Sequence, residues 1–363
     1  MRPTELRVSR RTLTANARAI RDAVPRDVKC MAVVKADAYG HGLVGAAEAF
    51  LAGGADWLAV ALVEEAIALR AAGIHASILI LGGANEDSIV EAVHADAAQA
   101  VYRPDMLRTL QKAAETCGKP ARAHLKIDTG MGRIGVRGER ELSAMLDLWR
   151  DCPNVQMEGA FTHFAVADTD PAYTARQNAL FCDALLTIRA AGYRPIAHAA
   201  ATFAFEDAAY MHDMVRPGLA LYGFGAKNPK LRGAQTLVTK PVRIEKIGMG
   251  ETVSYGRTFT AARDTTVMTI PIGYGDGYPR ALSNRAQALV CGKRVNLIGR
   301  VCMDMLMIDV TDVPEATLAS EVVLMGRQGG EEITPVELAN LTDTIPYEIM
   351  LGFLPRVRRV SID

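Results

Sequence analysis

The sequence has no excess of charge of either sign: Lys plus Arg and Asp plus Glu number 41 each over 363 residues. Such a chain has no global field to recruit nucleic acid or an anionic membrane, so small neutral or zwitterionic partners fit better. The six cysteines, Cys30, Cys117, Cys152, Cys182, Cys291 and Cys302, form no CxxC pair, and several lie in apolar runs. That spacing excludes a disulfide framework and points to reduced thiols in a cytoplasmic protein, with no metal site expected. No uncharged apolar run is long enough to span a bilayer. The N-terminus is Arg-rich (Arg2, Arg7, Arg10, Arg11) but lacks an apolar signal core and carries Glu5, so it reads as folded protein rather than a targeting segment. The GxxxxGK[ST] pattern of nucleotide loops is missing as well.

What is present is a chain able to bury a large core, with half its residues hydrophobic and 23% charged. From Val28 onward, short apolar runs alternate with segments of helical spacing. The runs are 30–34, 57–61, 77–81, 97–102, 123–127, 156–162, 195–199 and 213–216. Eight β units separated by helices argue for a parallel (β/α)8 TIM-like barrel rather than an open sheet. After about Leu231 the texture changes to Val, Thr and Ile runs broken by Gly and Pro, which is the composition of a β-rich domain. The expected organisation is therefore a barrel over 11–232 and a C-terminal β domain over 233–363. The short strand within residues 1–10 is expected to join the latter, because a closed barrel has no free edge to accept it.

Catalytic groups of such barrels sit where strands end. Lys35 ends the first run, in KCMAVVKADAYGHG. A partly desolvated lysine there could act as an imine-forming nucleophile. Taken alone, the stretch is explained slightly better by a lysine with its head in water. Three further rim motifs reverse that ordering. LKIDTGMGRIG presents Arg133 on a glycine-rich turn, FTHFA puts His163 at the end of the sixth run, and MVRPGLALYG closes the eighth with Arg216 before Gly218 and Leu219. Loops after the last two strands commonly bind phosphate, and Thr202 could add a hydroxyl. A strand-end lysine with a phosphate cradle suggests pyridoxal 5′-phosphate (PLP).

Together with THF, VSYGRTF, PIGYGDGYPR, GRVCMDM and the late PYE, these motifs are similar to those of the alanine racemase family, in the same order and over the chain from about residue 4 to the end. The resemblance implies a PLP-dependent isomerase that interconverts L- and D-alanine, for cell-wall precursor synthesis or alanine catabolism. It also implies a head-to-tail homodimer with shared active sites. Lys35 would carry the cofactor and serve as one acid/base, and Tyr255 of the SYG motif would be the other, reaching the partner's site. Racemisation needs proton removal on one face of the α-carbon and delivery on the other. A tyrosine in water titrates near ~10, so the role requires help, which the resemblance assigns to His163 and Arg216. Arg216 would also donate to the pyridine nitrogen. The substrate carboxylate would meet Arg133 and the backbone N–H of Met303, and Tyr274 would narrow the entrance. Phosphate would be held by Tyr39, Thr202, Gly218, Leu219 and Tyr347. Lys126 matches a position carbamylated in some members. In one place the chain departs from the family: His198-Ala199-Ala200-Ala201-Thr202 stands where an Asn-Ser pair usually follows the histidine, so Thr202 replaces the serine and the amide is lost. Three other readings share parts of this pattern: a broader serine racemase, a barrel-type decarboxylase of basic amino acids and a non-catalytic PLP-binding protein. The SYG and CMDM contexts favour racemisation over the decarboxylase and the extra β domain argues against the non-catalytic protein, while the serine reading shares the same catalytic parts.

Overall fold

Strands that are buried on both faces read as continuous apolar runs, and the eight runs of the N-terminal part behave in this way. In the computed structural model, which describes residues 3–363, β1 (Glu5–Ser9) and a helix over Arg10–Ala23 come first. They are followed by β2 (Lys29–Val33), β3 (Trp57–Val60), β4 (Ser77–Ile80), β5 (Ala98–Val101), β6 (Ala121–Lys126), β7 (Val155–Phe161), β8 (Ile196–His198) and β9 (Met214–Val215). These eight are parallel and close on themselves, with β9 pairing back to β2 through Cys30 and Val215. Every residue of β3 and β5 is buried. The expected barrel is therefore the observed one.

Six of the strand connections contain a helix, and local chemistry explains where several begin. Asn85 and Asp170 cap theirs by accepting from the N–H groups of Ser88 and Tyr173, and Pro104 and Pro171 occupy first turns, where a missing N–H costs nothing. The β8–β9 connection differs from the expected helix: it is a run of turns with one 3-10 turn over Ala208–Tyr210. The Arg10–Ala23 helix precedes the barrel in sequence but is tied to the segment after β9. Buried Asn16 donates to Leu221 O (3.0 Å) and Arg232 O (2.8 Å), and it accepts from Arg232 N (3.0 Å).

Among the described residues, the second compact unit comprises 3–10, 39–42 and 233–363. Its strands are β10 (Gln235–Thr239), β11 (Arg243–Ile247), β12 (Thr252–Val253), β13 (Phe259–Thr260), β14 (Thr265–Ile270), β15 (Gln287–Val290), β16 (Lys293–Asn296), β17 (Leu306–Asp309), β18 (Val322–Gln328), β19 (Glu331–Ile333) and β20 (Arg358–Ile362). The main sheet runs β16-β15-β18-β10-β1-β20, with β19 added to β18, and β11-β14-β17 form a second sheet. Thus β1 lies between β10, antiparallel, and β20, parallel. The segment 39–42 groups with this unit because Gly40 O accepts from Gln235 (2.9 Å) and Arg359 (3.1 Å).

Leu6, at the centre of β1, is fully buried in a core with Leu237, Met268, Leu289, Val323 and Phe353. Leu6→Ala is expected to cost about 3 kcal/mol through lost burial and an unfilled cavity. The check is chemical denaturation; an unchanged midpoint would show that β1 is dispensable to this core.

Candidate active site

Parallel strands deliver the residues that follow them to one end of the barrel. Lys35 follows β2, Asp128 and Arg133 follow β6, His163 follows β7, Thr202 follows β8, and Arg216 and Gly218 follow β9. The structure therefore collects the rim residues named from the sequence at the C-terminal end of the barrel.

Lys35 opens onto an unusual backbone. Ala36, Asp37, Ala38 and Tyr39 all have φ between 52° and 54°, a left-handed turn built without glycine until Gly40. For L-residues this costs roughly 1–2 kcal/mol each, so other contacts must hold it. Glu65 accepts from Ala36 N with one oxygen (2.5 Å) and from Ala61 N (2.8 Å) and Leu62 N (3.1 Å) with the other. Asp37 accepts from Leu43 N (2.8 Å). No glycine at 36–39 announces this turn in the sequence, and Glu65 was not among the residues singled out there.

Electrostatics unify the cluster. Burial, and then the charges of Arg216, Arg133, Lys126 and Lys35, push half-buried His163 down to about 3, so its imidazole is neutral at physiological pH. Lys35 is lowered by desolvation and by Arg133, with Glu65 opposing. Lys126 is buried, donates to Ile127 O (2.8 Å), and is pushed down to about 7 by desolvation, Arg216 and Arg133. Arg216 is buried and desolvation lowers it to about 9, leaving it charged at neutral pH. Its guanidinium is fixed by Thr162 O (2.7 Å), Ala199 O (2.9 Å) and His198 Nδ1 (2.8 Å).

Buried Thr202 meets the turn after β9: its Oγ1 accepts from Gly218 N (3.1 Å) and Ala220 N (3.2 Å). Both lone pairs are then used, and the hydroxyl proton is left to donate. The three-alanine run before Thr202 has not displaced it from this turn. The run Gly130–Gly135 also has GxGxxG spacing, but here the N–H groups of Gly130 and Gly132 are spent on the Asp128 carboxylate (3.0 and 3.1 Å). Gly135 is required because a Cβ would sit 2.5 Å from Asp128 N. The loop wraps its own aspartate instead of presenting its amides to a dinucleotide.

The remaining candidates belong to the β-rich unit. The rings of Tyr39 and Tyr347 are 5.5 Å apart. Tyr255 is 73% exposed and Met303 53% exposed, and both line a groove of about 440 Å³ with Ser254, Cys302, Asp304 and Met305. Ser254, at φ 70°, donates to Arg300 O (2.8 Å) and so sets the turn that projects Tyr255. Tyr274 is beside this groove, since its N–H donates to Cys302 O (3.0 Å). Among the described residues no group of three or more His, Cys, Asp or Glu could hold a metal ion, and no helix is long and apolar enough to cross a membrane.

Comparison with known proteins agrees with this geometry. Residues 8–225 match the model of the alanine racemase N-terminal domain and residues 234–361 that of the C-terminal domain. The chain is 44% identical to the alanine racemase of Symbiobacterium thermophilum, covering 99% of this chain and 97% of that one. It is 41% identical to alanine racemase 2 of Caldanaerobacter subterraneus, covering 100% and 95%. Among solved structures, the Streptomyces coelicolor alanine racemase superposes with a TM-score of 0.95 at 32% identity, covering 99% and 98%. The Bacillus anthracis alanine racemase with bound L-Ala-P gives 0.92 at 36%, covering 100% and 96%. The chain belongs to the alanine racemase family.

Proposed function

We propose that this protein interconverts L- and D-alanine with PLP, as a homodimer in which each active site is completed by Tyr255 from the other copy. The observation that carries the reading is the set of cations around His163, two of them buried, beside a lysine with a depressed pKa at a barrel strand end. Asp128 and Glu65 oppose this charge only in part, and burying cations without matching anions is costly. A phosphorylated cofactor and a substrate carboxylate are anions of suitable size.

The residues present fit PLP. The spare hydroxyl proton of Thr202 and the turn at Gly218 and Leu219 suit its phosphate; Tyr39 and Tyr347, whose rings are 5.5 Å apart, are the further donors that the family resemblance assigns. When bound, PLP withdraws electrons from the α-carbon of an attached amino acid and so eases loss of its proton. Lys35 holds the cofactor, and its amine, made less basic by desolvation and Arg133, takes or returns that proton on one face. Tyr255 does the same on the other face from an exposed turn. Neutral His163 can accept a hydrogen bond from the phenol. Arg216, which only donates, would hold the cofactor's ring nitrogen unprotonated if it donates to it. Arg133 and the Met303 N–H receive the substrate carboxylate, and Tyr274 narrows the entrance. Lys126 has a substantial neutral fraction near pH 7 and is open to carbamylation, which would place an anion among these cations.

Two measurements test the reading. Tyr255→Phe is expected to lower kcat for D-alanine formation from L-alanine by about 100-fold or more, with serine assayed alongside. Mixing it with Lys35→Ala should restore activity by subunit exchange; absence of recovery would contradict shared sites, and full activity of the phenylalanine variant would contradict the two-base assignment. For Lys126, a carbamate carbon signal in 13C-bicarbonate should grow as pH rises through about 7, where the amine deprotonates, and vanish in Lys126→Ala. A pH-independent or mutation-independent signal would reject the modification.

A further inference from the structure

Arg216 is buried, yet among the described residues no carboxylate lies within ion-pair distance of it; its partners are two carbonyls and His198. Arginine has only N–H groups to give, so His198 Nδ1 must accept. Burial keeps His198 and His124 neutral, which leaves the single proton of His198 on Nε2. That atom lies 2.8 Å from His124 Nδ1, which must accept in turn. The proton of His124 is then on Nε2, which approaches Glu158 Oε2 at 3.5 Å, within ion-pair distance but without a formed hydrogen bond, and neither atom has a hydrogen-bond partner among the described residues. Each bond forces the direction of the next.

The backbone is shaped for the last contact. Between β6 and β7, Ala123 is opposite Met157 but His124 is opposite Gly159, so Glu158 is the extra residue of a bulge. Bulges re-aim side chains, and this one turns a carboxylate toward the ring. A Cβ on residue 159 would sit 2.1 Å from His124 Nδ1, so glycine is what leaves room for the imidazole. Burial pushes the Glu158 carboxyl up, but contact with His124 and Arg122 outweighs this and holds it below its ordinary range. Arg122, 3.4 Å from the other carboxylate oxygen, shares one face of β6 with His124 and Lys126 by strand alternation. The chain of contacts thus runs along the strands, away from the rim.

We propose that Glu158, acting through His124 and His198, is the remote counter-charge that positions Arg216 in a one-way hydrogen-bond relay. Its importance for catalysis rests on the reading that Arg216 faces the cofactor; the relay itself does not. The test is 15N NMR of histidine-labelled holoenzyme, with the cofactor absorption band and kcat measured in parallel. In wild type the His124 and His198 rings, assigned by the signals lost in His124→Gln and His198→Gln, should both be neutral, protonated at Nε2 and bare at Nδ1. Glu158→Leu should release that arrangement in at least one ring, shift the absorption band and lower kcat about tenfold. Glu158→Gln keeps an acceptor oxygen but not the charge, so it should recover the wild-type tautomers while kcat falls between those of wild type and the leucine variant. His124 or His198 protonated at Nδ1 in wild type overturns the relay, as does a leucine variant with unchanged tautomers, band and kcat; His41, whose Nδ1 donates to Tyr39 O, is a separate buried ring. The wild-type tautomers are read without turnover, so an inactive enzyme would count against the racemase reading alone. They also decide the matter should the leucine variant fail to fold.

Discussion

Positive charge gathered at one end of a closed barrel is the constraint on which the rest of this structure depends. Lys35, Lys126, Arg133 and Arg216 all act on His163, and the last of them is buried without a touching carboxylate among the described residues. Such an arrangement is stable only if each cation is fixed by carbonyls, relayed to a distant anion, lowered in pKa, or met by an anionic ligand. All of the first three devices are present: carbonyls hold Arg216, Glu158 lies at the end of the histidine pair, and Lys126 is pulled to about 7. The fourth is what a phosphorylated cofactor would supply.

The barrel makes this concentration possible because parallel strands place successive loops at one end while their buried faces supply the core. The same closure leaves no edge for further strands. β1 pairs with β10 and β20 in the second unit, where a separate core forms around Leu6 and Leu237. That unit carries Tyr255 on a turn set by Ser254 and leaves it exposed, as a side chain that serves another copy would need to be.

Much of the fold was legible because short, doubly buried strands announce themselves as apolar runs. All eight were visible, with ends displaced by a residue or two, as at 30–34 against Lys29–Val33. The turns between β8 and β9 were not, since the alanine-rich stretch after His198 resembles a helix and only tertiary packing decides otherwise. At the site, Lys35, His163 and Arg216 could be picked out because they terminate strands. The left-handed turn after Lys35 could not, because Ala-Asp-Ala-Tyr lacks the glycine that usually marks positive φ. Glu65, His124 and Glu158 were equally hidden. Their partners are distant in sequence or depend on a one-residue bulge, and a bulge changes facing without changing composition.

The central claim is that the cationic rim is built for a phosphate-bearing cofactor. The most direct test is the melting temperature of cofactor-free protein with PLP or with pyridoxal, which has the same aldehyde and ring but no phosphate. The account predicts that PLP raises the melting temperature by several degrees and that pyridoxal at equal concentration does far less, because ligand binding to the folded state stabilises it in proportion to occupancy and affinity. Equal shifts from the two would contradict it.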